Sequence, residues 1–220
     1  MATMTKSRRT ASLDRFIRQE SLIRDAMEGG INRGLDSPDD NDPDWEEQVR
    51  YQIEVACIRT VDSFLSYISE TLQLAMAKQP AMLRSSETIT VDEVMRFTRH
   101  ADLISFLTDR TITQLSYKSF SEVEKYIRDK TNIDIAKSDA DQVFLKTAIE
   151  LRNIYSHNRG EASATTMRRL EQFEHPLKVV QGKLVETSIE ALEEMLNSIG
   201  KIARRVDEQF ARKFKLVRTV

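Results

Sequence analysis

Apolar positions recur at three- and four-residue steps along most of the chain, which predicts helices rather than strands. The longest stripe is Val49, Ile53, Ala56, Thr60, Phe64, Tyr67, Ile68, Leu72 and Ala75. It belongs to a helix that starts near Asp44 or Trp45, runs to about Lys78 and ends before Pro80. An earlier amphipathic helix spans about Ser12 to Met27, with Leu13, Phe16, Ile17 and Ile23 apolar and Gly29-Gly30 and Gly34 expected to stop it. Thr90-Val91-Asp92-Glu93, Ser119-Phe120-Ser121-Glu122 and Thr187-Ser188-Ile189-Glu190 have capping-box spacing. They open a short helix, a helix carrying Val123, Tyr126 and Ile127, and a last helix reaching about Phe214. A helix over about Leu103–Leu115 lies between the first two boxes. Residues 138–156 read as a strong helix capped by Ser138 or Asp139, with Val143, Phe144, Ala148, Leu151 and Tyr155 facing inward. A short helix is expected at Ala164–Phe173, and residues 179–185 as a small hairpin or an extended connection.

The prediction is therefore all-α: one helical bundle, with residues 1–43 as an attached N-terminal arm, helix and acidic linker, and residues 44–220 as the bundle. Six Gly and four Pro in 220 residues leave room for long helices and argue against a many-turned sandwich or barrel. Residues 1–10 read as a frayed arm whose deletion leaves the fold intact.

Net charge is only −2, so the molecule as a whole is no magnet for nucleic acid, but its ends are basic. Lys6, Arg8, Arg9, Arg15 and Arg18 face a single Asp14, and seven bases between Lys201 and Arg218 face Asp207 and Glu208. These ends can hold phosphates, or can simply complement a helix dipole. The seven acids between Asp36 and Glu47 invite a test for calcium, because Asp40, Asp42 and Asp44 alternate. The positions where an EF-hand needs Gly and Glu hold Trp45 and Tyr51, so a solvated linker is the expectation. The single Cys57 permits no intrachain disulfide and reads as a small core residue. No apolar run reaches the roughly 18 residues of a membrane span, and the N-terminus has no signal-peptide core, so a cytoplasmic protein without membrane contact is expected.

Phosphate loops and the zinc-protease and serine-hydrolase motifs are missing. His100, His157 and His175 do not pair at metal-ligand spacing, so neither a metal nor a cofactor is expected. His100 and His175 read as helix-end or turn residues. His157 has company: Arg152, Asn153, Ser156, Asn158 and Arg159 crowd the end of the same helix. These residues either cap a helix C-terminus or assemble a cation and an imidazole around a ligand. Five steps of about 100° put Arg152 and His157 about 140° apart. They meet on one ligand if the helix ends between them, or if two copies face each other across a twofold axis.

The run Glu150-Leu151-Arg152-Asn153-Ile154-Tyr155-Ser156-His157-Asn158-Arg159-Gly160 resembles the RiboL-PSP-HEPN branch of the HEPN superfamily, through its R-x4–6-H motif with a polar residue after the arginine. Phe64-Leu65-Ser66-Tyr67-Ile68 and Ile89-Thr90-Val91-Asp92-Glu93-Val94 have the flavour of that branch as well, and the likeness extends over about residues 45–200. It implies a dimerising HEPN-type bundle in which Arg and His of both copies form a metal-independent RNA-cleaving site. Relatives work in toxin–antitoxin, phage-defence and RNA-processing settings, and others have lost cleavage and serve as binding modules. On this reading His157 is general acid or base, Arg152 holds the phosphate and Asn153 orients one of them. Glu150, Ser156 and Asn158 support, with Glu150 either a partner of Arg152 or a surface acid. RNA, a second copy and an antitoxin or regulatory protein are the implied partners. A non-catalytic interaction module, or a nucleotide- or RNA-binding module, is the competing class.

Overall fold

The computed structural model describes residues 9–35, 43–85 and 88–218. The acidic linker at 36–42, and Lys6 and Arg8 of the basic N-terminus, lie outside the described residues. Among the described residues the chain is all-α, with eight α-helices and one 3-10 turn. They are α1 (Ala11–Leu35), α2 (Pro43–Lys78), the 3-10 turn Pro80–Leu83, α3 (Val91–Met95), α4 (His100–Ser116), α5 (Phe120–Thr131), α6 (Asp139–Asn158), α7 (Ala164–Leu170) and α8 (Ile189–Phe214). No described helix is long and apolar enough to cross a membrane.

The caps explain most boundaries. Thr90 and Ser119 each accept a hydrogen bond from the backbone N–H of Glu93 or Glu122, whose carboxylate in turn accepts one from the cap N–H. Ser138, not Asp139, caps α6 by accepting from Asp141 N–H at 3.1 Å. At α8 the cap is Ser188, which accepts from Ala191 N–H at 3.2 Å, while Thr187 is engaged elsewhere.

Three boundaries differ from expectation. α1 continues through Gly29-Gly30 and Gly34 to Leu35. A helical glycine costs about 1 kcal/mol against alanine but does not end a helix unless it turns left-handed, and among the described glycines only Gly160 and Gly182 have positive φ. α4 begins at His100, three residues early, so His100 sits at a helix start and not at an end. Arg99 makes that start by turning its guanidinium onto both carboxylate oxygens of Asp102, each at 2.8 Å. α7 stops at Leu170, short of Phe173.

The chain divides into two compact units, one of residues 1–14, 66–135 and 204–220, the other of residues 15–65 and 136–203. In the first, Tyr67, Leu72, Met76, Ile127, Ile135, Phe210 and Phe214 are buried. Two bases of α8 act inside this unit: Arg205 donates to the carbonyl of Ile135 at 2.6 Å, and Lys213 to that of Thr131, one of the unpaired carbonyls ending α5. Thr10 is also anchored here. It is fully buried and donates both its N–H and its hydroxyl to the carboxylate of Asp207, itself 2% exposed. The frayed arm expected over residues 1–10 therefore does not include its last residue.

In the second unit the buried residues include Phe16, Ile23, Ile53, Cys57, Val61, Phe64, Leu145, Leu151, Ile154, Tyr155, Leu192 and Leu196. Cys57 is a core residue as its position suggested. The inward face of α6 is Leu145, Thr147, Ala148, Leu151, Ile154 and Tyr155, whereas Val143 and Phe144 are half-buried, so the face is rotated from the one expected. Residues 179–185 make a connection that pairs with residues 160–162 and holds one turn of its own, closed by Lys183 N–H on Val180 O at 3.0 Å. Ala162 N–H reaches Lys183 O at 3.0 Å, Val185 N–H reaches Gly160 O at 2.9 Å, and Glu161 and Leu184 form a lone antiparallel bridge.

Candidate functional site at the end of helix α6

The motif residues all come from the last three turns of α6, which runs unbroken through Asn158. Its end is firmly built. Arg159 turns left-handed (φ 53°) and Gly160 follows with φ 81°. Gly160 N–H returns to the carbonyl of Ile154 at 3.3 Å, satisfying one terminal acceptor. Space is tight there as well, since a Cβ at Gly160 would stand 3.2 Å from Glu54 Oε1. One turn back, buried Tyr155 donates its hydroxyl to Val185 O at 3.0 Å and lies 2.7 Å from Thr187 Oγ1. Burial holds that phenol well above its usual range, so it stays neutral.

Arg152 leaves the helix towards α2. Its Nε donates to Oδ1 of Asp62 at 2.8 Å, its Nη2 stands 2.7 Å from the same oxygen in the ion pair, and its Nη1 donates to Oδ1 of Asn153 at 3.2 Å. The Arg152 and Asp62 side chains are 27% and 37% exposed, so the pair is reachable from solvent. Asn153 is half-buried, and His157 and Ser156 are exposed. Asn158 is half-buried and its carbonyl accepts from Glu161 N–H at 2.9 Å. Glu150 approaches Arg169 Nη1 at 3.6 Å, and the acid on Arg152 is Asp62.

Because α6 does not end between them, Arg152 and His157 keep the separation of about 140° that an ideal helix imposes. Asn153 links the two faces. It lies four residues before His157 on one side of the helix, while its amide oxygen holds the guanidinium on the other. One chain thus presents an oriented cation and an exposed imidazole on different flanks of a helix end, each able to meet an anion.

Sequence reasoning missed Asp62, 90 residues before Arg152. A signal was present: Asp62 stands between buried Val61 and Phe64 on α2, where a half-buried carboxylate calls for a cationic partner. Among the described residues, no group of three or more His, Cys, Asp or Glu is placed to hold a metal ion. No protein-family model, no curated protein and no solved structure matches this chain.

Proposed function

We propose that the chain is a metal-independent endoribonuclease of the HEPN type, working as a homodimer in the cytoplasm in a toxin, defence or RNA-processing role. The observation that supports this most is the state of Arg152: its guanidinium is fixed on two sides, partly exposed, and tied through Asn153 to the face that carries His157. In the proposed reaction the RNA 2′-hydroxyl attacks the adjacent phosphorus, the P–O5′ bond breaks, and a 2′,3′-cyclic phosphate and a 5′-hydroxyl result. His157 exchanges the proton of the attacking or the leaving oxygen. Arg152 holds the phosphate oxygens and offsets their charge in the transition state. An antitoxin or regulatory protein that covers the site fits the same reading.

The test is cleavage of single-stranded RNA in excess EDTA, with DNA of the same sequence and RNA carrying 2′-O-methyl at the cut site both surviving. His157→Ala should lower the rate by roughly 10²–10⁴ with unchanged thermal stability, since the side chain is exposed. Wild-type protein inert towards a broad RNA pool would end this reading. One observation favours the alternative, a non-catalytic interaction or nucleotide- or RNA-binding module: the charge of Arg152 already has an acidic partner in Asp62. RNA bound but never cut, with His157→Ala binding equally well, would select it.

A further inference from the structure

We infer that Asp62 is a positioning residue of the Arg152 site, setting the plane of the guanidinium and weakening its hold on anions at the same time; the inference rests on the ribonuclease reading of that site. A guanidinium carries five N–H donors in a rigid fork. Asp62 takes the Nε edge, accepting from Nε–H with the oxygen that stands 2.7 Å from Nη2, and Asn153 accepts one N–H of Nη1. With Asp62 on the Nε edge, the edge between Nη1 and Nη2, which points away from the side-chain stem, is not covered by its carboxylate. That edge is the fork a phosphodiester accepts with two oxygens. An arginine otherwise loses much rotamer freedom on binding, and acceptors on two sides remove that loss beforehand.

The Asp62 backbone is a rigid support, because its neighbours Val61 and Phe64 are each 1% exposed. The carboxylate also carries a charge of the same sign as the phosphate, within one guanidinium of it. Asp62 therefore has two effects of opposite sign: it orients Arg152 for turnover and lowers the affinity of ground-state RNA. A residue serving only to hold the fold would not separate the two.

The experiment compares wild-type, Asp62→Ala and Asp62→Asn protein. Turnover is measured on cleavable RNA, and affinity on a 2′-O-methyl RNA that cannot be cut. Asp62→Ala should lower kcat by about 10- to 100-fold, the scale of a misplaced catalytic group. It should tighten binding of the uncut RNA by about two- to fivefold, the scale of one exposed charge interaction. Asp62→Asn keeps an amide oxygen for the Nε edge, so it should recover most of the turnover while binding tightly. Wild-type turnover in Asp62→Ala would overturn the inference, as would weakened binding in both folded variants. If Asp62→Ala does not fold, Asp62→Asn decides alone: tighter binding with near-normal kcat sustains the inference, and weaker binding sinks it. A wild-type protein that cuts no RNA removes the ribonuclease reading and this inference together. Activity in wild type that is matched by Asp62→Ala removes this inference only.

Discussion

Thr10→Val should destabilise the protein strongly near neutral pH and much less in acid. The substitution keeps the shape and β-branch of a side chain that is fully buried and replaces only its hydroxyl by a methyl. That hydroxyl donates to Oδ1 of Asp207, while the Thr10 N–H donates to Oδ2 at 3.2 Å. The Thr10 hydroxyl oxygen accepts from Leu13 N–H at 3.2 Å and so caps the first turn of α1. A hydrogen bond to a charged group contributes about 1.5–3 kcal/mol, and a lost cap costs about 1 kcal/mol. Together they predict a loss of roughly 3 kcal/mol, or about 6–12 °C in Tm for a chain of this size. The pH dependence follows from Asp207, whose carboxyl is raised above the ordinary 3.8, chiefly by burial and slightly by Asp14, against the lowering effects of Thr10 and Arg218. A carboxyl raised in the folded state contributes stability at low pH that is lost as pH climbs from 3.8 through its folded value. Removing the Thr10 hydroxyl raises it further, so the deficit of Thr10→Val is full above that value and shrinks as the pH falls towards 3.8. Urea unfolding at pH 7 and pH 4 measures both stabilities. An equal deficit at the two pH values, or one below about 0.5 kcal/mol at pH 7, would refute this account of the Thr10–Asp207 contact. Deleting residues 1–10 should cost at least as much as Thr10→Val, because both donors leave.

Two further outcomes follow from the second unit. Gly160→Ala should lower stability by about 1–3 kcal/mol, read as a fall in Tm, because the residue has φ 81° and its new methyl would stand 3.2 Å from Glu54 Oε1. Cys57 should be inert to a thiol-specific reagent at pH 8 in the native protein and react fully in urea, because burial, then Glu54 and Asp62, push its thiol up to about 12; rapid native labelling would contradict that burial.

The parts of the fold legible in the sequence were those set by local chemistry. Thr90 with Glu93, Ser119 with Glu122, and Ser138 are cap signals complete within four residues, and each helix starts where its cap stands. The stripe of α2 could be read because it repeats over about seven turns, and all of it but half-buried Val49 is in the core. Failures came where a distant partner decides. Thr10 reads as part of a polar arm until Asp207, 197 residues on, is seen to hold it. The rotation of α6 that buries Leu145 and leaves Val143 half-exposed is settled by the helices around it, since both residues are apolar. The R-x4-H spacing marked Arg152 and His157, but nothing near them in sequence names Asp62 as the acid on Arg152; Glu150, two residues away, looked equally able and turns to Arg169 instead.

The unbroken course of α6 sharpens the proposed mechanism, because about 140° of helix lies between Arg152 and His157 and the proposed homodimer brings the partner's group to the same phosphate. A site that takes Arg152 from one subunit and His157 from the other has a distinctive genetics. Arg152→Ala and His157→Ala homodimers each lack one group at both of their sites and should be inactive. In a mixed dimer one site lacks both groups, while the other has an intact arginine from one subunit and an intact histidine from its partner. Equal mixing with free subunit exchange makes roughly half the dimers mixed, each with one good site of two, so about a quarter of wild-type activity should return. Recovery should follow the rate of subunit exchange and fail when each variant is first cross-linked as a homodimer. If both groups of a site come from the same subunit, every site in the mixture lacks one of them and no activity returns. That result in a wild-type enzyme that cuts RNA would refute the shared site, and would require His157 to reach the phosphate held by Arg152 within one chain.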